Sequence, residues 1–176
     1  MDKDTLYEKI GDYILYKYVK ESDPRRRVGG VRHLKQYFES SSKCCVALQE
    51  GFDEAVLDRL EDSFGTLLVK HIREKGLVNA DVYKDANIDR RLFSKIISNE
   101  GYSPTKTTVL ALAIALKLNL DETTSFLKSA GYALSHSSKA DLVVEYFIGE
   151  TDGNYNIDIV NDALQHFGQP TLGSKL

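Results

Sequence analysis

The chain contains no tryptophan, one methionine, three prolines and two cysteines, and the cysteines are adjacent at Cys44 and Cys45. Each shortage excludes something. Neighbouring cysteines strain the intervening peptide if they pair, so no disulfide framework is expected and a reducing compartment fits. No C-x-x-C or H-x-x-x-H spacing surrounds them, so no metal site is expected and the thiols read as small buried apolar groups. Three prolines and 12 glycines in 176 residues leave no linker-rich or disordered chain. The longest apolar run, Val109–Leu116, falls well short of the roughly 20 residues that span a bilayer. Met1-Asp2-Lys3-Asp4-Thr5 has neither the basic start nor the apolar stretch of a signal peptide. A cytoplasmic chain with no membrane partner is expected.

What is present is ordinary globular material: 42% hydrophobic residues, 28% charged, ten tyrosines and seven phenylalanines. That suffices for one domain of usual size or two very small ones. The formal net charge is −3, but it is unevenly spread. Residues 1–62 carry 11 basic and 13 acidic side chains, residues 63–134 carry 10 and 7, and residues 135–176 carry 2 and 6. Only the middle is basic, which makes it the place to look for an anionic partner.

Nearly every segment has helical periodicity. Thr5–Lys20 places Leu6, Ile10, Ile14 and Tyr18 on one stripe and stops before Ser22-Asp23-Pro24. Val31–Glu39 carries Leu34 and Phe38 in register, and Asp53–Leu60 resumes the spacing. The stretch from Ser63 to Leu134 parses into five short helices. Ser63 caps one that carries Phe64, Leu67, Leu68, His71 and Ile72 and ends at Gly76. Asn79 can cap Ala80–Ala86, Asn87 suits a left-handed turn, and Asp89 can cap Arg90–Ser98. Pro104 and Thr105 open Lys106–Leu118, whose Ala and Leu content predicts packing on more than one side. Asp121 opens a last helix to Gly131. Lys139–Ile148 and Ile157–Phe167 read as two amphipathic helices, and Gly168–Leu176 as an arm or a loose end. The expected fold class is all-α: a helical bundle with an amino-terminal extension (1–62), a middle domain (63–134) and an acidic carboxy-terminal extension (135–176).

Enzymatic signatures are missing. There is no nucleophile elbow, P-loop, dinucleotide fingerprint or H-E-x-x-H. His136 lies between Ser135 and Ser137 with Asp141 just beyond, but adjacency in sequence is not triad geometry, and Ser135 or Ser138 reads as a helix cap. His33, His71 and His166 stand alone and read as structural. Asp152-Gly153-Asn154 lacks the later acidic residue of a calcium loop. Asp141, Glu145, Asp158 and Asp162 read as a solvated acidic face, with mimicry of nucleic-acid charge or docking on a basic partner as the other reading. No enzyme and no cofactor are expected.

One stretch carries mechanical content. In Asn79–Ile96, Val82, Ala86, Ile88, Phe93 and Ile96 fall where two short helices joined by a tight turn must bury their contact. Arg90, Arg91, Ser94, Lys95 and Ser98 then share the exposed face of the second helix. Arg25-Arg26-Arg27, with Arg32, His33 and Lys35 nearby, forms a further basic cluster that reads equally as a phosphate-contacting arm or interaction surface and as a solvated turn balanced by Glu21, Asp23 and Glu39. Leu92 and Ile97, apolar beside the exposed face, leave a protein contact or burial under the terminal helices as the other reading.

On Ile72-Arg73-Glu74-Lys75-Gly76-Leu77, Phe93-Ser94-Lys95-Ile96, and Ser103-Pro104-Thr105 leading into Leu110–Leu118, the region from Phe64 to Tyr132 resembles the phage-repressor-like (Cro/CI, XRE-type) helix-turn-helix regulators. The resemblance implies that the second helix of the pair enters the major groove of double-stranded DNA, with Arg90, Arg91, Ser94 and Lys95 touching it. It departs from the family at Tyr83, where a small residue is usual, and at Ala80, where a phosphate-bonding polar residue is usual. Ala86–Ser98, Gly131–Ser138 and Phe167–Gly173 are similar to a helical module of bacterial mobile-element proteins, where it is appended to macrodomains and other catalytic domains. The expectation is a non-enzymatic, homodimeric DNA-binding regulator of bacterial or phage origin, contacting DNA through Arg90, Arg91, Ser94 and Lys95, with Arg25, Arg26 and Arg27 adding backbone contacts. The alternative is a protein-binding module, such as a mobile-element inhibitor of a host defence nuclease (anti-CRISPR-like).

Overall fold

The computed structural model describes residues 3–21, 63–99, 101–151 and 155–173. The chain divides into two compact units, residues 1–17 with 62–176, and residues 18–61. Almost all of the second lies outside the described residues. So do the expected helices Val31–Glu39 and Asp53–Leu60, the cysteine pair, Arg25, Arg26 and Arg27, and the Asp152–Asn154 turn.

Among the described residues every regular element is a helix: α1 (Lys3–Glu21), α2 (Phe64–Glu74), α3 (Asn79–Asp85), α4 (Arg90–Ser98), α5 (Lys106–Ala115), α6 (Leu120–Ser129), α7 (Lys139–Glu150) and α8 (Ile157–His166). The protein is an all-α bundle. None of these helices is long and apolar enough to cross a membrane.

The centre is α5. Thr108 through Ile114 are all buried, because Val109–Ile114 offers only small and aliphatic side chains and can be packed from every side. It lies against α3, α6 and α8, while α2 packs on α4 and α6, and α7 packs on α6 and α8. Thr105 caps α5, its Oγ1 accepting from Thr108 N at 3.4 Å. The helix ends at Ala115, three residues before the expected Leu118. Lys117 adopts a left-handed φ of 52°, and Leu118 N returns to the Ala113 carbonyl. Leu116 and Leu118 remain buried on the way out.

Several helix boundaries are set by caps that the sequence displays. Ser63 Oγ accepts from Thr66 N at the start of α2. At its end Leu77 N bonds Ile72 O and Gly76 N bonds Arg73 O, the paired pattern that satisfies the last carbonyls. Asp89 caps α4, Ser138 caps α7 and Asn156 caps α8. Two expected caps are displaced. Asn79 is the first residue of α3, and the cap position falls on Val78, which has no side-chain acceptor. The last helix of the middle region is opened by Asn119, two residues before Asp121. Asn119 Oδ1 accepts from Glu122 N at 2.8 Å while Glu122 Oε2 accepts from Asn119 N at 2.9 Å. That reciprocal box satisfies two otherwise orphaned donors, an advantage Asp121 could not match.

Two further expectations are corrected by burial. Helix α7 is not amphipathic: every residue from Asp141 to Ile148 is buried, because α6, α8 and α1 cover different sides of it. The segment after α8 is not loose up to Gly173. Asn161 clamps the backbone of Leu172, accepting from its N–H at 2.7 Å and donating to its carbonyl at 3.0 Å. Leu172 is buried. Gly173 then passes so close to the α3–α4 turn that a Cβ there would sit 2.5 Å from Ala86 O, and its φ is +69°.

Helix α1 closes onto the carboxy-terminal pair. Leu6, Ile10 and Ile14 are buried as one stripe, and Tyr7 stacks on His166 of α8 with ring centroids 4.2 Å apart. Lys3 meets Asp162 at 2.7 Å, but both ends are solvent-exposed and such a pair adds little.

A close approach between α2 and α4 depends on Gly65. An added Cβ would lie 2.8 Å from the Ile96 carbonyl oxygen, and backbone rather than a yielding side chain must then move. Gly65→Ala is expected to cost about 1–3 kcal/mol by overpacking, read as a lowered midpoint in urea unfolding. An unchanged midpoint would show that α2 can step back freely.

Candidate nucleic-acid interface

Helices α3 and α4 are joined by four residues, Ala86–Asp89. Asn87 takes the left-handed conformation (φ 53°), Asn87 N bonds Lys84 O, and Ile88 N bonds Tyr83 O. This reverses the chain within one residue, a geometry that Asn tolerates better than most side chains. Asp89 Oδ1 accepts from Arg91 N at 2.6 Å and starts α4 at once. Val82, Ala86, Ile88, Phe93 and Ile96 are all buried, and the Tyr83 ring packs against Phe93 with centroids 5.7 Å apart. Those five core residues are the ones their spacing predicts.

The same packing turns Arg90, Arg91, Ser94, Lys95 and Ser98 outward, and all five are exposed. Lys95 Nζ sits 4.4 Å from the centre of the Tyr102 ring, a cation–π contact that steadies the side chain without neutralising it. Ser98 Oγ donates to Ser94 O at 2.8 Å. Among the described residues no carboxylate forms an ion pair with Arg90, Arg91 or Lys95. Arg25, Arg26 and Arg27 lie outside the described residues, so their position relative to this face is not part of its geometry.

Beside α4 runs an open groove of about 640 Å³ lined by Val78, Ala80, Tyr83, Arg90, Ser94 and Ile97, among others. Leu92 and Ile97 are half-buried rather than open. The prominent exposed apolar groups of this region are Leu77 and Val78, at 39% and 60% exposure, on the loop that leads into α3.

A second polar cluster lies elsewhere, and it overturns the reading of Asp141 and Glu145 as solvated. They are 3% and 4% exposed. Asp141 pairs with Lys106 of α5 and accepts from Ser135 N at 2.8 Å, stapling the turn before α7 to the central helix. Glu145 accepts from Tyr13 Oη and from Lys17 Nζ, both at 2.9 Å, and His136 Nε2 stands 2.9 Å from its other oxygen. Burial alone pushes the Glu145 carboxyl upward, but the hydrogen bonds from Lys17 and Tyr13 outweigh it and hold the group below its usual range. Lys17 is raised in return, chiefly by its hydrogen bond to Glu145. Tyr13 is raised by burial and by the same carboxylate. The cluster therefore clasps α1 to α7. Asp158 and Asp162, by contrast, are exposed as expected. The clasp is hard to find in sequence: Glu145 lies about 130 residues from Tyr13 and Lys17, and the local signal is two carboxylates four apart, Asp141 and Glu145, in the otherwise apolar stretch 141–148.

His71 and His166 are packing groups, on the edge of Phe126 and stacked on Tyr7 respectively. The chain matches no family model, no curated protein and no solved structure.

Proposed function

We propose that this chain is a non-enzymatic regulator that binds double-stranded DNA with α4 as its contact helix, and that it belongs with the phage-repressor-like helix-turn-helix proteins it resembles. One observation carries the reading: Arg90, Arg91, Ser94 and Lys95 share an exposed face of a short capped helix that follows a tight turn, and among the described residues no carboxylate forms an ion pair with its three cations. Guanidinium groups so displayed suit bidentate contacts to guanine edges or phosphates. Homodimerisation belongs to the same proposal, because repressor-like helices commonly work in pairs on adjacent half-sites.

The test is fluorescence anisotropy with a labelled mixed-sequence duplex, titrated across roughly 50–200 mM salt, where phosphate-driven binding falls steeply. Binding that weakens with salt is expected. Replacing Arg90 and Arg91 together by Ala is expected to cost about 2 kcal/mol, roughly thirtyfold in Kd. Wild-type protein that ignores duplex at the lowest salt would sink the proposal.

A second reading rests on a different observation, the exposed Leu77 and Val78 beside the groove floored by Tyr83, Phe93 and Ile97. Apolar exposure of that kind suits a protein partner, including a defence nuclease held in check. Stoichiometric co-purification of one protein that survives nuclease treatment, with no duplex affinity, would select it.

A further inference from the structure

Because Gly65 lets α2 lie directly against the end of α4, the two helices present neighbouring outer faces. On α2, Thr66, Lys70 and Arg73 follow at four- and three-residue intervals and form one exposed stripe. They line an open groove of about 430 Å³ whose far wall is Ile97. Ile97 is also a wall of the groove that holds Arg90 and Ser94. A single half-buried isoleucine thus divides two basic rows, one on each helix. Among the described residues no carboxylate forms an ion pair with Lys70 or Arg73. Glu74, which shares the second groove, lies 3.6 Å from His71 Nδ1.

Scale gives this arrangement a meaning. Packed helices stand about 8–10 Å apart, and the major groove of DNA is about 12 Å wide. A helix seated in that groove therefore carries a helix packed beside it over the phosphate strand that borders the groove. Resting on the DNA reading above, we infer that Lys70 and Arg73 of α2 form a phosphate-contacting site that tracks the strand flanking the groove entered by α4. These two residues add affinity and orientation. Sequence discrimination stays with α4, since phosphate contacts carry no base information.

The experiment compares wild-type protein, Lys70→Gln/Arg73→Gln and a Lys139→Gln control on fluorescein-labelled duplexes of several sequences across the same salt range. Both target side chains are exposed, and a far-UV melting curve for each protein checks that the fold is kept. The double variant is expected to bind every duplex roughly tenfold more weakly at low salt, with the log–log salt slope reduced by about 2, since each lost phosphate contact removes roughly 0.9. Its ranking of sequences is expected to match wild type, and the control to match wild type throughout. If wild type binds duplex and the double variant keeps its slope and affinity, this site is overturned while the α4 reading stands. If the double variant alters the ranking of sequences, the assignment to phosphate is overturned. If wild type binds no duplex, both fall.

Discussion

Phe126→Ala is expected to lower stability by about 3–5 kcal/mol. Phe126 is fully buried on α6, with its ring centroid 4.6 Å from Phe64 of α2 and 5.9 Å from His71. Helix α6 packs on α2, α5 and α7, so truncating this ring opens a void walled by separate helices. None of those walls can move in alone: α5 is packed on every side, and α2 already touches α4 at Gly65. The lost transfer free energy and the cavity cost therefore add. For a unit of this size the melting temperature is expected to fall by about 8–16 °C, measured by far-UV circular dichroism. A fall under about 3 °C would mean the core repacks and that α6 is not its keystone. Phe126→Leu, which keeps most of the volume, is expected to cost clearly less.

Glu145→Ala is expected to cost about 2–4 kcal/mol, because removing one partner of a buried polar cluster strands the others. Lys17 keeps about a quarter of its side chain in water and can turn outward, which holds the figure below that of a fully enclosed pair. Tyr13, half-buried, loses its acceptor at the same time. The damage is expected to be local first. Amide exchange in α1 is expected to rise well above that in α5, since Leu6, Ile10 and Ile14 would then hold α1 without its polar clasp. Equal acceleration in both helices would show that α1 is no separate unit of opening.

The same carboxylate sets an acid limit. Its folded pKa lies below the ordinary 4.5, so its stabilising contribution is present above that value and is lost as pH falls through the folded one. Lys17 works in the opposite direction. Its folded pKa lies above 10.5, so its contribution is complete below that value and is lost as pH rises through the folded one. Glu145→Gln is expected to be less stable at neutral pH and to show a shallower loss of stability below pH 4.5. An acid limb of unchanged steepness would assign acid unfolding to other carboxylates.

How much of this was legible beforehand divides by the range of the interactions. Local chemistry could be read from neighbouring residues. Ser63, Asp89 and Ser138 cap within three residues of the donors they satisfy, and Asn87 suits a left-handed turn by its own side chain. The apolar spacing of Val82, Ala86, Ile88, Phe93 and Ile96 marked the buried seam of α3 and α4, and therefore its opposite, the exposed face of Arg90, Arg91, Ser94 and Lys95. Two of the errors are local in kind as well. Asn79 and Asp121 are acceptable caps, displaced because the extended Val78 already accepts the first bonds of α3 at its carbonyl and because Asn119 with Glu122 satisfies two donors instead of one.

What could not be read was every feature that joins distant segments. Two carboxylates in α7 look like a solvated face until α1 and α5 supply Lys17, Tyr13 and Lys106 from far away in the chain. The segment after α8 reads as a loose end until Asn161 clamps Leu172 and Gly173 meets the α3–α4 turn. The alignment of Lys70 and Arg73 with α4 needs the helix contact at Gly65, where the informative feature is a missing side chain. Hydrophobic period, capping and turn chemistry act over a few residues and are written in order along the chain. Burial of a charge and the meeting of two helix faces depend on which surfaces the bundle brings together, and no window of sequence contains both partners.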